Sequence, residues 1–177
     1  MLDVATAVEW TSVALLAGVA AVGDVRTGRV PNALTVGAAA GGLVFSMAHA
    51  GANGLLASLA GSVVGLALFL PLFALGGMGG GDVKLLAAFG AWLGPVGALW
   101  AALCASLVGG VLAMAVAASR GYLLEALRNV GALTAVWRTV RLTPVPGWTL
   151  SDANRPRLAY AVPIGIGAIL ALWLDVR

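Results

Sequence analysis

Apolar residues fill most of this chain in blocks, separated by short polar or glycine-rich intervals. A membrane-spanning helix needs roughly 20 apolar residues, usually about 17–25. Residues 4–22 supply one such block. The stretch DVRTGRVPN (24–32) is polar and ends in a Val-Pro pair that disfavours helix, so it predicts a loop. Residues 33–48 form a second, slightly short block, HAGAN (49–53) predicts a turn, and 54–75 form a third block. GGMGGG (76–81) then interrupts the chain. A short block follows at 83–95, a clear fifth at 96–118 and a sixth at 158–174. Residues 119–157 differ in kind, being rich in Arg, Thr and Pro. The pattern predicts an all-α polytopic membrane protein with about six transmembrane helices. Residues 1–177 form one membrane-embedded domain, with a cytoplasmic or interfacial loop at about 119–157.

Composition agrees with a lipid solvent. The chain is 61% hydrophobic and 10% charged, whereas soluble domains carry about 25% charged residues. A core built from 177 residues could not hide that apolar surplus. The formal charge of +3 gives no reason to expect nucleic acid, because the basic residues have a topological role. Arg26 and Arg29 fall in the first loop, and Lys84 opens the fourth block on the same side. Arg120, Arg128, Arg138, Arg141, Arg155 and Arg157 fall in the fifth loop, again on that side, and only Arg177 lies opposite. Basic residues favour the cytoplasmic face, so both termini are expected to face outward. Asp3 and Glu9 stand where a signal peptide would be basic, so the first block reads as a retained helix. The single cysteine, Cys104, excludes an internal disulfide.

Within the long loop, Leu123, Leu124, Leu127, Val130, Leu133, Trp137 and Val140 recur at three- and four-residue steps among arginines. That spacing predicts an amphipathic helix lying on the membrane surface, weakened at Gly131. Such a helix anchors the loop or docks a partner. The tryptophans fall mostly near the ends of blocks, as interfacial aromatics do.

Two aspartates stand out against this background. A charge within a bilayer costs about 2.5–3.5 kcal/mol on insertion scales, so a carboxylate there is a functional candidate. The block after Asp82 rises only about 20 Å as a helix, against a hydrocarbon core of about 30 Å. Asp82 is therefore drawn below the membrane surface if that helix reaches the far side. Irregular backbone at such depth must line a cavity or be buried in protein, and glycine permits both bending and close approach. Taken alone, Asp82 is equally well a helix N-cap after a glycine loop. Asp24, at the end of the first block and on the same predicted face, changes the balance. Two carboxylates in a low-dielectric site share a proton. One can then act as base toward water while the other donates to a carbonyl oxygen, without metal or cofactor. His49 is alone on the opposite face, and neither G-x-S-x-G nor H-E-x-x-H occurs.

GGGDVKLLAAFGAWLG (79–94) resembles the Gly-x-Gly-Asp-x-Lys-Leu signature of the type IV prepilin peptidases, with its aspartate at Asp82. DVRTGRVPN resembles their first aspartate motif, running from Asp24 to Pro31 and Asn32. LAYAVPIGIGAIL (158–170) is similar to the family's last helix. The resemblance implies a multi-pass aspartic endopeptidase of the bacterial inner membrane with catalytic Asp24 and Asp82. Its substrate would be a prepilin, a membrane helix with a short basic leader, cut at the cytoplasmic face after a glycine. The motif also resembles Gly-x-Gly-Asp intramembrane aspartyl proteases more broadly. Gly79, Gly80, Gly81, Lys84, Pro31 and Asn32 are the expected supporting or substrate-binding residues. Lys84 tunes Asp82, binds substrate, or simply snorkels to the surface. Asn32 bonds the active-site loop or caps the helix after Pro31.

Larger members carry a cytoplasmic insertion with paired cysteines and also methylate the new N-terminus. There is no room for it between Asp24 and Pro31, so the chain resembles the short, peptidase-only forms associated with tight-adherence (Flp) pili. Methyltransferase activity is not expected. The competing class is a transporter or secretion-scaffold subunit that uses the aspartates to bind protons or cations.

Overall fold

The computed structural model describes residues 4–125, 127–129 and 159–174. These residues form helices with no strand among them: α1 (Val4–Thr27), α2 (Asn32–Ala74), α3 (Gly80–Ser119) and α4 (Ala161–Trp173). Three of them, α1, α2 and α3, are long and apolar enough to cross a membrane. The chain is helical again at 123–125 and 127–129, where Leu124 and Leu127 are exposed. The rest of the expected amphipathic helix lies outside the described residues.

Two of the expected turns are breaks within longer helices. Gly51 in α2 (φ 62°, ψ −144°) and Gly94 in α3 (φ 69°, ψ −178°) leave helical geometry while the helix resumes on either side. Both have the positive φ that glycine adopts without steric cost. Pro95, which follows Gly94, has no amide hydrogen to donate back across the break. The break in α2 is a reversal of direction. Ser58 Oγ donates to the Ala91 carbonyl at 2.6 Å, and a Cβ on Gly42 would stand 2.9 Å from Ala91. Residues 42 and 58 therefore flank the same residue of α3 from two segments of one hairpin. Trp92 Nε1 adds a bond to the Ala38 carbonyl at 2.8 Å.

In α2 the packing inverts the pattern of a soluble protein. The buried positions of α2 are Thr35, Gly42, Gly54, Ser58, Gly61, Gly65 and Phe69, while Val36, Val44, Leu56 and Val63 face outward. Helices in lipid gain nothing from hiding leucine, so small residues collect where backbones touch. Gly61 and Gly90 show this directly. A Cβ on either would collide with the other's carbonyl oxygen. Phe89, Leu85 and Leu86 of α3 are fully buried at the centre. α3 packs against α2 and α4, and α4 packs against α1.

Near the first loop the expected boundary moves. Residues 24–27 belong to α1, and only 28–31 are non-helical before α2. Gly28 ends α1 at φ 64°, its amide donating to the Asp24 carbonyl at 2.7 Å. That is a left-handed glycine cap. Polar composition suggested a loop, but local hydrogen bonding carries the helix through it. The Thr27 hydroxyl bonds the Gly23 carbonyl at 2.8 Å.

Candidate functional site

Asp24 lies in the last turn of α1 and Asp82 in the first turn of α3. Both are buried, each 8% exposed. Each is held by a backbone amide at the start of a helix, where unpaired N–H groups and the helix dipole favour an anion. Asp24 Oδ2 accepts from the Ala161 amide at 3.0 Å, at the start of α4. Asp82 Oδ2 accepts from the Gly79 amide at 3.2 Å. Gly79 is the N-cap of α3, so Asp82 is not the cap but reaches back to it from the third helical position.

The two carboxylates line one cavity of about 390 Å³, with residues 28–32 and 79–81 completing its wall. The charge of Asp24 acts on Asp82. Every residue expected to support the aspartates is on this wall except Lys84, which joins it indirectly. Its Nζ donates to Asn32 Oδ1 at 3.0 Å. Asn32 therefore bonds α3 with its side chain and does not cap α2, whose N-cap is Pro31 in extended geometry.

The glycines have separate steric reasons. A Cβ on Gly79 would stand 3.1 Å from Asp82 Oδ2, one on Gly80 3.3 Å from the Phe73 ring, and one on Gly81 3.3 Å from Val30 Cβ. Val30 is buried. A side chain at 81 would push the 28–31 connection away from the start of α3, one at 80 would press on the end of α2, and one at 79 would press on the Asp82 carboxylate itself.

Some of the site was not evident from the residues. The Ala161 amide carries no side-chain signature, so its bond to Asp24 appears only in three dimensions. Tyr160, its neighbour, is close enough for the Asp82 charge to act on its phenol. The tyrosine was visible within LAYAVP but pointed to no role there. Arg29, read only as a topology marker, is on the cavity wall. His49 is elsewhere, stacked on Phe45 at 6.0 Å between centroids and lining a different cavity with Glu9.

No curated protein and no solved structure matches the chain. A sequence model of the type IV leader peptidase family matches residues 11–114, which spans both aspartates and the glycine stretch between α2 and α3. The chain belongs to the type IV leader peptidase family.

Proposed function

We propose that this peptidase is an aspartic endopeptidase of the bacterial inner membrane that removes the leader of prepilin-type substrates, with Asp24 and Asp82 as its catalytic pair. The observation that carries this is the shared cavity. Carboxylates from two helices face one space walled by glycine backbone, and few reasons other than chemistry hold two buried carboxylates together.

In the proposed cycle one carboxyl is ionised and the other protonated. The ionised group takes a proton from a water, which attacks the scissile carbonyl carbon. The protonated group donates to the carbonyl oxygen, giving a tetrahedral diol. Collapse of the diol breaks the C–N bond as a proton passes to the leaving nitrogen. A carboxylic acid product and a new N-terminal amine leave, and the pair again holds one proton. The backbone bonds to Asp24 and Asp82 fix both carboxylates before substrate arrives, which is where positioned acid–base groups gain rate.

The breaks at Gly51 and Gly94 support six membrane crossings, because each lets an overlong helix turn back. Both aspartates then face the cytoplasm and both termini face outward, as the basic residues favour. The substrate is a membrane helix with a basic leader, admitted from the lipid beside the glycine stretch. The 28–31 connection between α1 and α2 is short, which supports a peptidase without methyltransferase activity.

Co-expression with a tagged prepilin-type substrate, followed by N-terminal sequencing of the product, tests the proposal. Cleavage after a glycine is expected. A folded protein that leaves the substrate whole while conducting protons across liposomes would overturn it.

A further inference from the structure

A cavity of about 430 Å³ lies at the end of the helices away from the aspartates. Glu9, on its wall, is about 22 Å from Asp24 along α1. Ala50 and Gly54 reach it from the two sides of the break at Gly51, and Gly94 and Pro95 bring the break in α3 to it. The volume is that of a small-molecule site, about 300–1,000 Å³. The chemistry proposed for the aspartates makes no use of it.

The wall offers acceptors, and two of its donors are spent. Pro95 has no amide hydrogen for the Ala91 carbonyl, its partner in an unbroken helix. Ser58, 1% exposed, supplies the missing donor from Oγ at 2.6 Å. Its hydrogen is thus used, while its lone pairs can still accept. The Trp92 indole donates to the Ala38 carbonyl at 2.8 Å. Glu9 is 6% exposed. It has an interaction of its own within the chain, but a carboxylate has about four lone-pair sites and can accept further bonds. Ser46 and His49 can each donate or accept. Among the described residues lining the cavity there is no lysine or arginine.

Aromatic rings complete the wall. Trp92 stacks on Phe45 at 5.4 Å between centroids with 28° between planes, and Phe45 stacks in turn on His49. Rings beside a carboxylate suit an organic ammonium. Its charge is drawn to ring faces, and its N–H groups make charge-assisted bonds to the carboxylate. Val96 lines the cavity yet is 42% exposed, and Leu99, a turn further along α3, is exposed as well. They offer apolar surface to a ligand whose polar head sits inside.

We propose that this cavity binds the primary ammonium headgroup of an aminophospholipid. Glu9 and the Phe45–Trp92 rings hold the nitrogen, and the acyl chains lie over Val96 in the bilayer. The site requires no peptidase activity, and neither does its test.

The experiment uses the full chain purified in detergent and native mass spectrometry. Three lipids with the same acyl chains are offered in equal amounts: phosphatidylethanolamine, its N-acetylated form, which has no ammonium, and phosphatidylglycerol. The wild type is expected to carry phosphatidylethanolamine at least tenfold over either of the others. Glu9→Gln, with folding verified by melting, is expected to lower that preference at least fivefold. Equal binding of the three lipids by the wild type would overturn the proposal, as would an unchanged preference in the folded variant. Displacement of the lipid by millimolar free ethanolamine would assign the cavity to a soluble amine and overturn the lipid assignment. If Glu9→Gln does not fold, phosphatidylethanolamine with a diazirine near the head of one acyl chain decides. Cross-links to wild-type residues 45–58 or 91–96 support the site, and cross-links elsewhere overturn it.

Discussion

Asp24 Oδ2 accepts a hydrogen bond from the Ala161 amide at 3.0 Å, joining the end of α1 to the start of α4 across 137 residues. One carboxylate thus does two things. It satisfies an orphan donor at a helix N-terminus, and it is held facing the cavity that Asp82 shares. Asp82 repeats the arrangement at the start of α3 through Gly79. Each acid is positioned by the N-terminus of a helix.

The two functions separate by substitution. Asp24→Asn keeps an oxygen acceptor for Ala161, so its thermal unfolding in detergent should match the wild type. Asp24→Ala leaves the buried amide without its partner and should lose about 0.5–2 kcal/mol. Both should lose peptidase activity by about 10²–10⁴-fold or more, the usual contribution of a positioned acid or base. Equal stability of the two variants would show that the Ala161 bond contributes nothing.

The aspartates were legible because they are ionisable residues in an otherwise apolar chain, where the membrane makes a charge costly. The reversals were half legible. HAGAN marked the break at Gly51, and the boundary placed between 95 and 96 falls beside Gly94. What stayed hidden is made of backbone. The Ala161 amide and the crossing of Gly61 with Gly90 depend on which helices meet, and apolar periodicity does not specify that in lipid. Residues 24–27 were hidden for a similar reason. Their polarity suggested a loop, yet they remain helical with Asp24 bound to α4.

The Gly61–Gly90 crossing is a place where one methyl group should matter. Gly90→Ala drives a Cβ into the Gly61 carbonyl, and overpacking of this kind costs about 1–3 kcal/mol. A Cβ on Gly37, also in α2, would meet nothing within 4 Å, so Gly37→Ala should be neutral or gain up to about 1 kcal/mol from helix propensity. Melting of the two variants in the same detergent checks the contrast.

Lys84 and Asn32 tie the first turn of α3, which carries Asp82, to the start of α2 at 3.0 Å. The bond is exposed, so its loss should cost little stability, about 1 kcal/mol or less. Its effect should show in turnover. Asn32→Ala and Lys84→Met are each expected to lower kcat several-fold, and the double variant to fall no further than the worse single one. Strictly multiplicative losses would mean that the two residues act independently.

A pair of carboxyls that must hold one proton gives a bell-shaped rate profile. At low pH both are protonated and no base remains; at high pH both are ionised and no acid remains. The two limbs belong to the pair and not to either residue. Initial rates of leader removal across pH, in liposomes whose integrity is monitored, should fall on both sides of a maximum. A single-limbed profile would argue for one essential carboxylate.

The most direct test of the pair is leader cleavage by purified wild type, Asp24→Asn and Asp82→Asn in liposomes, with folding of each verified by melting. The expected result is a new N-terminus from the wild type alone, with both variants folded and inactive. Near-normal cleavage by either folded variant would contradict the two-aspartate mechanism and leave the shared cavity without its proposed chemistry.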